Sequence, residues 1–343
     1  MNRPVIFSMV VVALSIGVQA QQQGAPNAPA KVEDHSPHTV QFVTVDHDVK
    51  LEVLDWGGSG RPVVLLAGLG YDAHVFDTFA PKLSSTCHVY GITRRGMGAS
   101  SIPKPVEQNY SADRLGDDIL AVATELKIDH PVLVGHSIAG EELSSIGSRY
   151  PDRVAGLVYL DAGYPYAFYN DNAKQGLDPV ADIVKVQVEL DNFKTFLLPK
   201  ERRVQAEHLL NVSLPRLERD IQEGLKQALN APDNAPMPPD TPTARASIAL
   251  RRGTEIYTGV KCPVLAIFAV PHDFGLLGKT DPTVRAEMVA KDRAEVSEQA
   301  DAFQSGNPQA RVVRIANANH FVFRSNEADV LREIHDFISK LPH

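Results

Sequence analysis

The sequence predicts an α/β fold with a mostly parallel central sheet, flanking helices and an inserted, mainly helical cap. Short apolar runs rich in β-branched residues alternate with helix-like segments through residues 39–163 and again through 256–343. This alternation is typical of strand-helix-strand crossovers. Residues 164–255 do not show this alternation. We therefore predict a core made of 39–163 and 256–343, interrupted by a cap of 164–255.

The first part of the core begins with a predicted antiparallel hairpin. Residues 39–46 and 50–56 alternate apolar with polar side chains around the turn Asp46-His47-Asp48. Beyond it, continuous apolar runs predict buried strands, and apolar residues at three- and four-residue spacing predict helices. The expected strands are 63–67, 88–92, 132–136 and 155–160, and the expected helices are 74–83, 111–126 and one that ends at 150.

The pattern changes after Gly163. Residues 164–169 are dense in aromatic side chains, 180–229 have helical character, and 230–243 are rich in proline, which favours irregular chain. Strand-like sequence resumes after the cap. The remaining expected elements are a strand at 263–270, a helix at 281–303, a strand at 311–315 and a closing helix at 329–341.

The N-terminal residues resemble a secretory signal peptide. Arg3 precedes an apolar run over 5–18, and Val18-Gln19-Ala20 offers small residues for cleavage. We expect residues 1–20 to be the signal peptide, 21–38 to be a flexible leader, and the protein to be exported to the periplasm or the medium. The apolar run is too short for a comfortable membrane span, so no stable span is expected after cleavage.

Charge narrows the range of partners. The chain has 34 Lys and Arg against 42 Asp and Glu, a formal net charge of −8. Loss of Arg3 with the signal peptide makes it −8 − 1 = −9. An acidic chain without a basic run is a poor candidate for binding nucleic acid or anionic lipid. We expect a small-molecule substrate, no metal and no cofactor; the oligomeric state is open.

Ser137 lies in the stretch that organises the chain. The strand-like residues 132–136 run directly into a helix-like segment, and Gly135, Ala139 and Gly140 keep side chains away from the turn between them. A serine on such a turn projects its hydroxyl beside a helix N-terminus. This is the geometry that a nucleophilic serine requires.

This stretch resembles the nucleophile elbow of α/β-hydrolases, in particular capped serine hydrolases of the esterase type. The resemblance covers residues 40–163 and 256–342, and Ser137, Asp273 and His320 follow one another in the order that the family uses. Ala139 stands where glycine is usual, and Ala67 stands where a histidine is common.

The resemblance implies a catalytic triad. Ser137 would be the nucleophile, His320 its general base, and Asp273 the carboxylate that orients the imidazole. Asp161, which also ends a predicted strand, competes with Asp273 for the last role. The backbone N–H groups of Leu69 and Ile138 would form the oxyanion hole.

Other residues are assigned more loosely. Tyr71, Phe76, Tyr164, Tyr166, Phe168 and Tyr169 could line an acyl pocket, or form the core of the cap. His136 is expected to pack beside the nucleophile rather than to act as a second base. Arg94 and Arg95 resemble the family's structural R-G-x-G-x-S loop.

The expected function is hydrolysis of a carboxylic ester or related acyl substrate through an acyl-enzyme. The same triad also serves carbon–carbon bond hydrolases, lyases and acyltransferases. A binding module with an inactive site is a second alternative. An NADP-dependent oxidoreductase is a third, since Gly68-Leu69-Gly70-Tyr71-Asp72-Ala73 fits G-x-G-x-x-A and Arg94 or Arg95 could meet a 2′-phosphate.

The two cysteines that remain after cleavage, Cys87 and Cys262, each precede a predicted strand. In the sheet order that the family implies, these strands are separated by four inter-strand spacings, about 19 Å. A disulfide needs α-carbons within about 7 Å. We therefore predict two free thiols.

Overall fold

The computed structural model describes residues 36–172, 178–194, 198–230, 239–275 and 282–342. The predicted signal peptide and residues 21–35 of the predicted leader lie outside them, as do residues 231–238 of the proline-rich stretch.

One eight-stranded sheet forms the centre of the molecule. Its strands are β1 (Thr39–Asp46), β2 (Val49–Gly57), β3 (Pro62–Leu66), β4 (His88–Ile92), β5 (Val132–His136), β6 (Gly156–Leu160), β7 (Val264–Ala269) and β8 (Ala310–Ile315). They lie in the order β1-β2-β4-β3-β5-β6-β7-β8. β2 pairs antiparallel with β1 and with β4, and all other pairs are parallel. The predicted fold class is confirmed.

Helices cover both faces of the sheet. The described α-helices are α1 (Ala80–Leu83), α2 (Ala112–Glu125), α3 (Ala139–Arg149), α4 (Pro179–Lys194), α5 (Pro199–His208), α6 (Leu214–Asn230), α7 (Pro242–Arg252), α8 (Pro282–Gly306), α9 (Val322–Ser325) and α10 (Glu327–Ser339). Helices α4 to α7 lie between β6 and β7 in the chain. None of the helices in the described ranges has both the length and the apolar character that crossing a membrane requires.

The predicted helical stretch near 74–83 is divided into two short helical turns. The chain forms a short 3₁₀ turn at Ala73–Phe76 and then the single-turn helix α1. Pro81 stands in the first turn of α1. Proline lacks a backbone N–H, and it is tolerated there because the N–H groups of the first turn have no partner within the helix. In the interior of a longer helix, proline would remove a hydrogen bond and clash with the preceding turn.

Two apolar clusters bury the two faces of the sheet. On one face, apolar side chains of α2, α3 and α7 belong to the same buried cluster as those of the strands, for example Ile119, Leu143 and Leu250. On the other face, Leu83 of α1 and Ile334 of α10 do so. A parallel sheet that is covered on both sides explains why its strands read as continuous apolar runs rather than alternating ones.

Cys87 and Cys262 are free and buried, which confirms the prediction of two free thiols. They precede β4 and β7, which are separated by β3, β5 and β6 in the sheet. Burial raises the pKa of both thiols, that of Cys262 to about 12, so both stay protonated at neutral pH.

Candidate active site

Ser137 occupies a strained turn between β5 and α3. Its φ is +55°, a left-handed conformation that residues other than glycine rarely adopt. A Cβ atom at position 140 would lie 2.0 Å from the carbonyl oxygen of Ala162, so the turn tolerates only glycine there. The serine is 2% exposed. The local sequence thus folds as the predicted elbow.

His320 and Asp161 meet at the carboxyl ends of the strands. Asp161 follows β6, and His320 lies in the loop between β8 and α9. The Nδ1–H group of His320 donates to Oδ2 of Asp161 at 2.7 Å. The His320 ring lies 4.7 Å from that of His136, the residue before Ser137. This arrangement leaves Nε2 of His320 free to act as a base.

The preference for Asp273 over Asp161 as the partner of His320 is wrong. Asp273 is exposed, and its Oδ1 accepts a hydrogen bond from the N–H of Gly275 at 2.9 Å. Successive side chains of extended chain point to opposite sides. In the loop after β7, His272 therefore points toward Asp161 while Asp273 points to solvent.

Asp161 accepts four hydrogen bonds. Oδ2 accepts from His320 and, also at 2.7 Å, from Nε2 of His272. Oδ1 accepts from the hydroxyl of Tyr164 at 2.9 Å and the N–H of Ala269 at 3.0 Å. Burial opposes ionisation, but the charge and hydrogen bonds of the two histidines hold the pKa of Asp161 well below its usual range. The carboxylate of Asp161 is therefore ionised at neutral pH.

His272 is a site residue that sequence reasoning missed. Nδ1 bonds to Oδ1 of Asp292 at 2.9 Å, and its backbone N–H donates to Oδ2 of Asp292 at 2.7 Å. Burial opposes the charge, yet Asp161 and Asp292 raise the pKa of His272 to about 10. Asp292 belongs to α8, which thereby contributes to the site. The available signal was the place of His272, directly beside Asp273 at the end of a core strand.

Donor atoms of Asp161, His272 and His320 lie within 4.8 Å of one another, close enough for a metal ion. Both nitrogens of His272 face carboxylate oxygens and carry protons at neutral pH. A metal would have to displace a proton from a histidine whose pKa is about 10. The group is better suited to an ion-pair network than to metal ligation.

The predicted oxyanion loop lies against the elbow. A Cβ atom on Gly68 would be 3.2 Å from Cβ of Ser137. Among the described backbone hydrogen bonds outside helices and strands, none uses the N–H of Leu69 or of Ile138. Both N–H groups are therefore available as donors to a ligand.

Arg94 holds this loop in place. Its Nη2 donates to the carbonyl of Ala67 at 2.7 Å and its Nη1 to that of Gly68 at 3.1 Å, while Nε donates to Glu142 of α3 at 2.7 Å. One buried guanidinium thus joins the loop to the helix that follows Ser137. These bonds stabilise the loop in which Ala67 replaces the more common histidine.

The predicted aromatic residues divide into three groups. Tyr164 and Tyr166 reach the site: Tyr164 through its bond to Asp161, and Tyr166 through the nearby Ser137 hydroxyl, which lowers the pKa of its phenol against the stronger effect of burial. Tyr71 packs edge-on against Phe321 at 5.3 Å. The rest point elsewhere.

Phe76 and Phe168 are core residues, which corrects their assignment to the pocket. Phe76 packs against Phe323 at 4.9 Å and Phe168 against Phe303 at 5.5 Å. The hydroxyl of Tyr169 donates to Asp182 of α4, within the cap.

His136 lies where the sequence predicted a packing residue. It is 1% exposed, and its Nε2–H donates to the carbonyl of His320 at 3.0 Å. Burial and the neighbouring His320 hold the pKa of His136 well below its usual range. His136 is therefore neutral and supports the loop of His320.

The arginines that an oxidoreductase would need are already used. Arg94 pairs with Glu142, and Arg95 pairs with Asp118 through two bonds of 2.7 and 2.6 Å. Both guanidinium groups are buried. They are therefore not free to bind a 2′-phosphate.

Residues 63–333 match the model of the alpha/beta hydrolase family, and the chain belongs to this family. It is similar to 2-(acetamidomethylene)succinate hydrolase of Mesorhizobium japonicum, 31% identical over 30% of this chain and 36% of that protein. It is also similar to non-heme chloroperoxidase CPO-A1 of Kitasatospora aureofaciens, 30% identical over 41% and 51%. The matches thus span about a third to a half of these relatives.

A solved structure extends the likeness of fold across most of the chain. The crystal structure of E-2-(acetamidomethylene)succinate hydrolase matches with a TM-score of 0.52 and 20% identity, over 88% of this chain and 99% of the other. At this identity the match concerns the fold alone.

Proposed function

We propose that this protein is an exported serine hydrolase that cleaves a carboxylic ester or related acyl substrate through an acyl-enzyme on Ser137. One observation carries the proposal: a buried carboxylate, Asp161, holds the imidazole of His320 at 2.7 Å beside a serine in a left-handed turn. A serine hydroxyl is a weak nucleophile, so it requires a base in a defined tautomer and orientation. The hydrogen bond to Asp161 fixes both the tautomer and the orientation of His320.

The reaction has two stages. His320 Nε2 accepts the proton as Ser137 Oγ attacks the acyl carbon, and the N–H groups of Leu69 and Ile138 stabilise the resulting oxyanion. His320 then returns the proton to the leaving alcohol. Water, activated by the same histidine, hydrolyses the acyl-enzyme, and Ser137 is regenerated.

The relatives act on several kinds of bond. Their names include a fluoroacetate dehalogenase from a Burkholderia species and a bifunctional esterase/perhydrolase from Acinetobacter calcoaceticus. An aspartate at position 137 would favour dehalogenation through an ester intermediate, whereas serine favours acyl transfer. Carbon–carbon bond hydrolysis, elimination and transfer to another acceptor use the same residues, and they are the alternatives to ester hydrolysis.

A fluorophosphonate probe tests the nucleophile. We expect covalent labelling of the wild-type protein and none of Ser137→Ala. Ser144, buried on the next turns of α3, offers a matched control, since Ser144→Ala should keep the labelling. A panel of 4-nitrophenyl esters of increasing acyl length then tests the reaction class. Labelling that survives Ser137→Ala would refute the assignment.

The proposal of export rests on residues 1–20, and a separate experiment tests it. We expect the full-length chain, expressed in a bacterium, to reach the periplasm or medium with a new N-terminus at or near Gln21. A variant in which polar residues replace the apolar run should remain inside the cell. Efficient export of that variant would contradict the proposal.

A further inference from the structure

Three polar side chains near Ser137, two of them buried and one half-buried, have hydrogen-bonding atoms without a partner. Tyr166 is 2% exposed, Glu141 1%, and the side chain of Arg251 11%. Within the described residues, no partner is found for the hydroxyl of Tyr166, Oε1 of Glu141, or Nε and Nη1 of Arg251. Folded proteins rarely leave buried polar atoms unpaired, and a cluster of them indicates a place for a ligand.

The three residues come from three different elements. Glu141 lies on the first turn of α3, four positions after Ser137. Tyr166 follows β6, and Arg251 lies in the last turn of α7. Leu250, next to Arg251, packs in the same apolar cluster as Ile138 and Ala139 of the elbow. This end of the cap lies against the first turn of α3, because the hydroxyl of Thr254, three residues after Arg251, donates to Glu141.

Tyr166 connects the cluster to Ser137. The Ser137 hydroxyl and the charge of Arg251 both act on the phenol of Tyr166, and both lower its pKa against the larger effect of burial. Arg251 likewise acts on Glu141. A Cβ atom on Gly140 would lie 2.9 Å from Cβ of Ala167, so the segment that carries Tyr166 packs against the first turn of α3.

The cluster is rich in donors. Arg251 uses Nη2 for Asp178 at 2.7 Å and keeps Nε and Nη1 free. Burial and the neighbouring Glu142 raise the pKa of Glu141 well above its usual range, which favours the protonated form of this carboxyl, a hydrogen-bond donor. Oε2 of Glu141 accepts from Thr254 at 3.3 Å. The complement of such a cluster is a group that only accepts, and a charged acceptor gains most from arginine.

We propose that Tyr166, Arg251 and Glu141 form a carboxylate-binding subsite, and that the preferred substrates are half-esters of dicarboxylic acids. The inference rests on the proposed serine-hydrolase function and names its substrate class. The free carboxylate of the acyl part binds to Arg251 and Tyr166, while its ester carbonyl faces Ser137.

Two esters of equal chain length provide the test: 4-nitrophenyl hexanoate and 4-nitrophenyl hydrogen adipate. We expect the wild-type enzyme to have a kcat/KM for the adipate half-ester at least ~10-fold above that for the hexanoate, a value typical of one charge-assisted contact. Arg251→Gln should abolish the preference, and Arg251→Lys should keep part of it. The matched control is Arg252→Gln, since Arg252 is exposed on the same turn and should keep the preference.

Tyr166→Phe offers a second variant if Arg251→Gln does not fold. It should reduce the preference through KM for the half-ester. Equal kcat/KM values for both esters in the wild type, or a preference that Arg251→Gln leaves intact, would overturn the subsite.

A binding measurement separates this inference from the proposed function. Ser137→Ala cannot form an acyl-enzyme, so its affinity for adipate, measured by calorimetry, reports on the subsite alone. Saturable binding that Arg251→Gln weakens would support the subsite even if no ester is cleaved. Absence of binding by Ser137→Ala would refute it even if simple esters are cleaved.

Discussion

Asp161 in the core and Asp182 in the cap are both buried aspartates beside basic groups, but their surroundings differ. Asp161 accepts four hydrogen bonds, two of them from histidines. Asp182 pairs with Arg216 at 2.8 Å and accepts from Tyr169, yet its Oδ2 has no partner among the described residues.

The neighbour of Asp182 explains the difference. Asp220 lies beside it, and burial together with Asp182 raises the pKa of Asp220 to about 8. At neutral pH Asp220 of the cap therefore keeps its proton, whereas the carboxylate of Asp161 in the core is ionised and held by four hydrogen-bond donors. Asp161 in the core is thus ionised at neutral pH, whereas the charge of Asp220 in the cap changes near neutral pH.

The largest expected effect comes from breaking the core network at its centre. Asp161→Asn should lower kcat by about 10,000-fold, because the amide cannot hold the correct tautomer of His320 or stabilise its charge. Asp273→Asn serves as the control and should leave kcat nearly unchanged. Steady-state kinetics on folded variants decides between them. Loss of activity in Asp273→Asn with retention in Asp161→Asn would reverse the assignment of the acid.

A buried ion pair in the core should contribute far more than an exposed one in the cap. Glu142→Ala leaves the charge of Arg94 buried and uncompensated, so the free energy of unfolding should fall by about 3–5 kcal/mol. Asp240→Ala removes an exposed partner of Arg245 and should have no measurable effect, because solvent screens such pairs. Urea unfolding of both variants measures the difference. Similar losses would contradict it.

His272→Gln tests the second histidine through pH. A pKa raised from 6.5 to about 10 means that the folded protein holds this proton more tightly than the unfolded chain does. The resulting stability is fully present below about pH 6.5 and is lost as the pH rises toward 10. The variant should thus be less stable than the wild type at pH 6, by a few kcal/mol, and nearly equal to it at pH 10. An equal loss at both pH values would show that His272 acts through packing alone.

The smallest expected effect lies in the cap. Because the pKa of Asp220 is raised to about 8, the folded state binds a proton that the unfolded state releases near pH 4, so stability falls as the pH rises from 4 to 8. Asp220→Asn removes this dependence. Hydrogen exchange of α4 and α6 at pH 5 and pH 9 should show wild-type protection falling with pH, and the protection of Asp220→Asn constant.

Much of the fold of the core could be predicted from the sequence, because the patterns that indicate its strands, helices and turns are local. The hairpin of β1 and β2, the buried strands and helix α8 followed from residue patterning, and Gly135 to Gly140 described the turn at Ser137. The two thiols could be separated because the strand order that the family resemblance implies sets a distance too long for a disulfide. These features depend on chain chemistry within a few residues, or on topology.

Only the tertiary structure decided which carboxylate meets His320. Asp161 and Asp273 both follow core strands, and nothing local distinguishes them. The choice depends on which side chain of the loop after β7 points inward, and this loop directs His272 toward Asp161. The unpaired polar atoms of Tyr166, Arg251 and Glu141 could not be predicted either, because the three residues belong to elements that are distant in sequence. The sequence specifies which polar groups are present. Which of them form hydrogen bonds depends on their positions in three dimensions, so only the folded chain determines which groups remain without a partner.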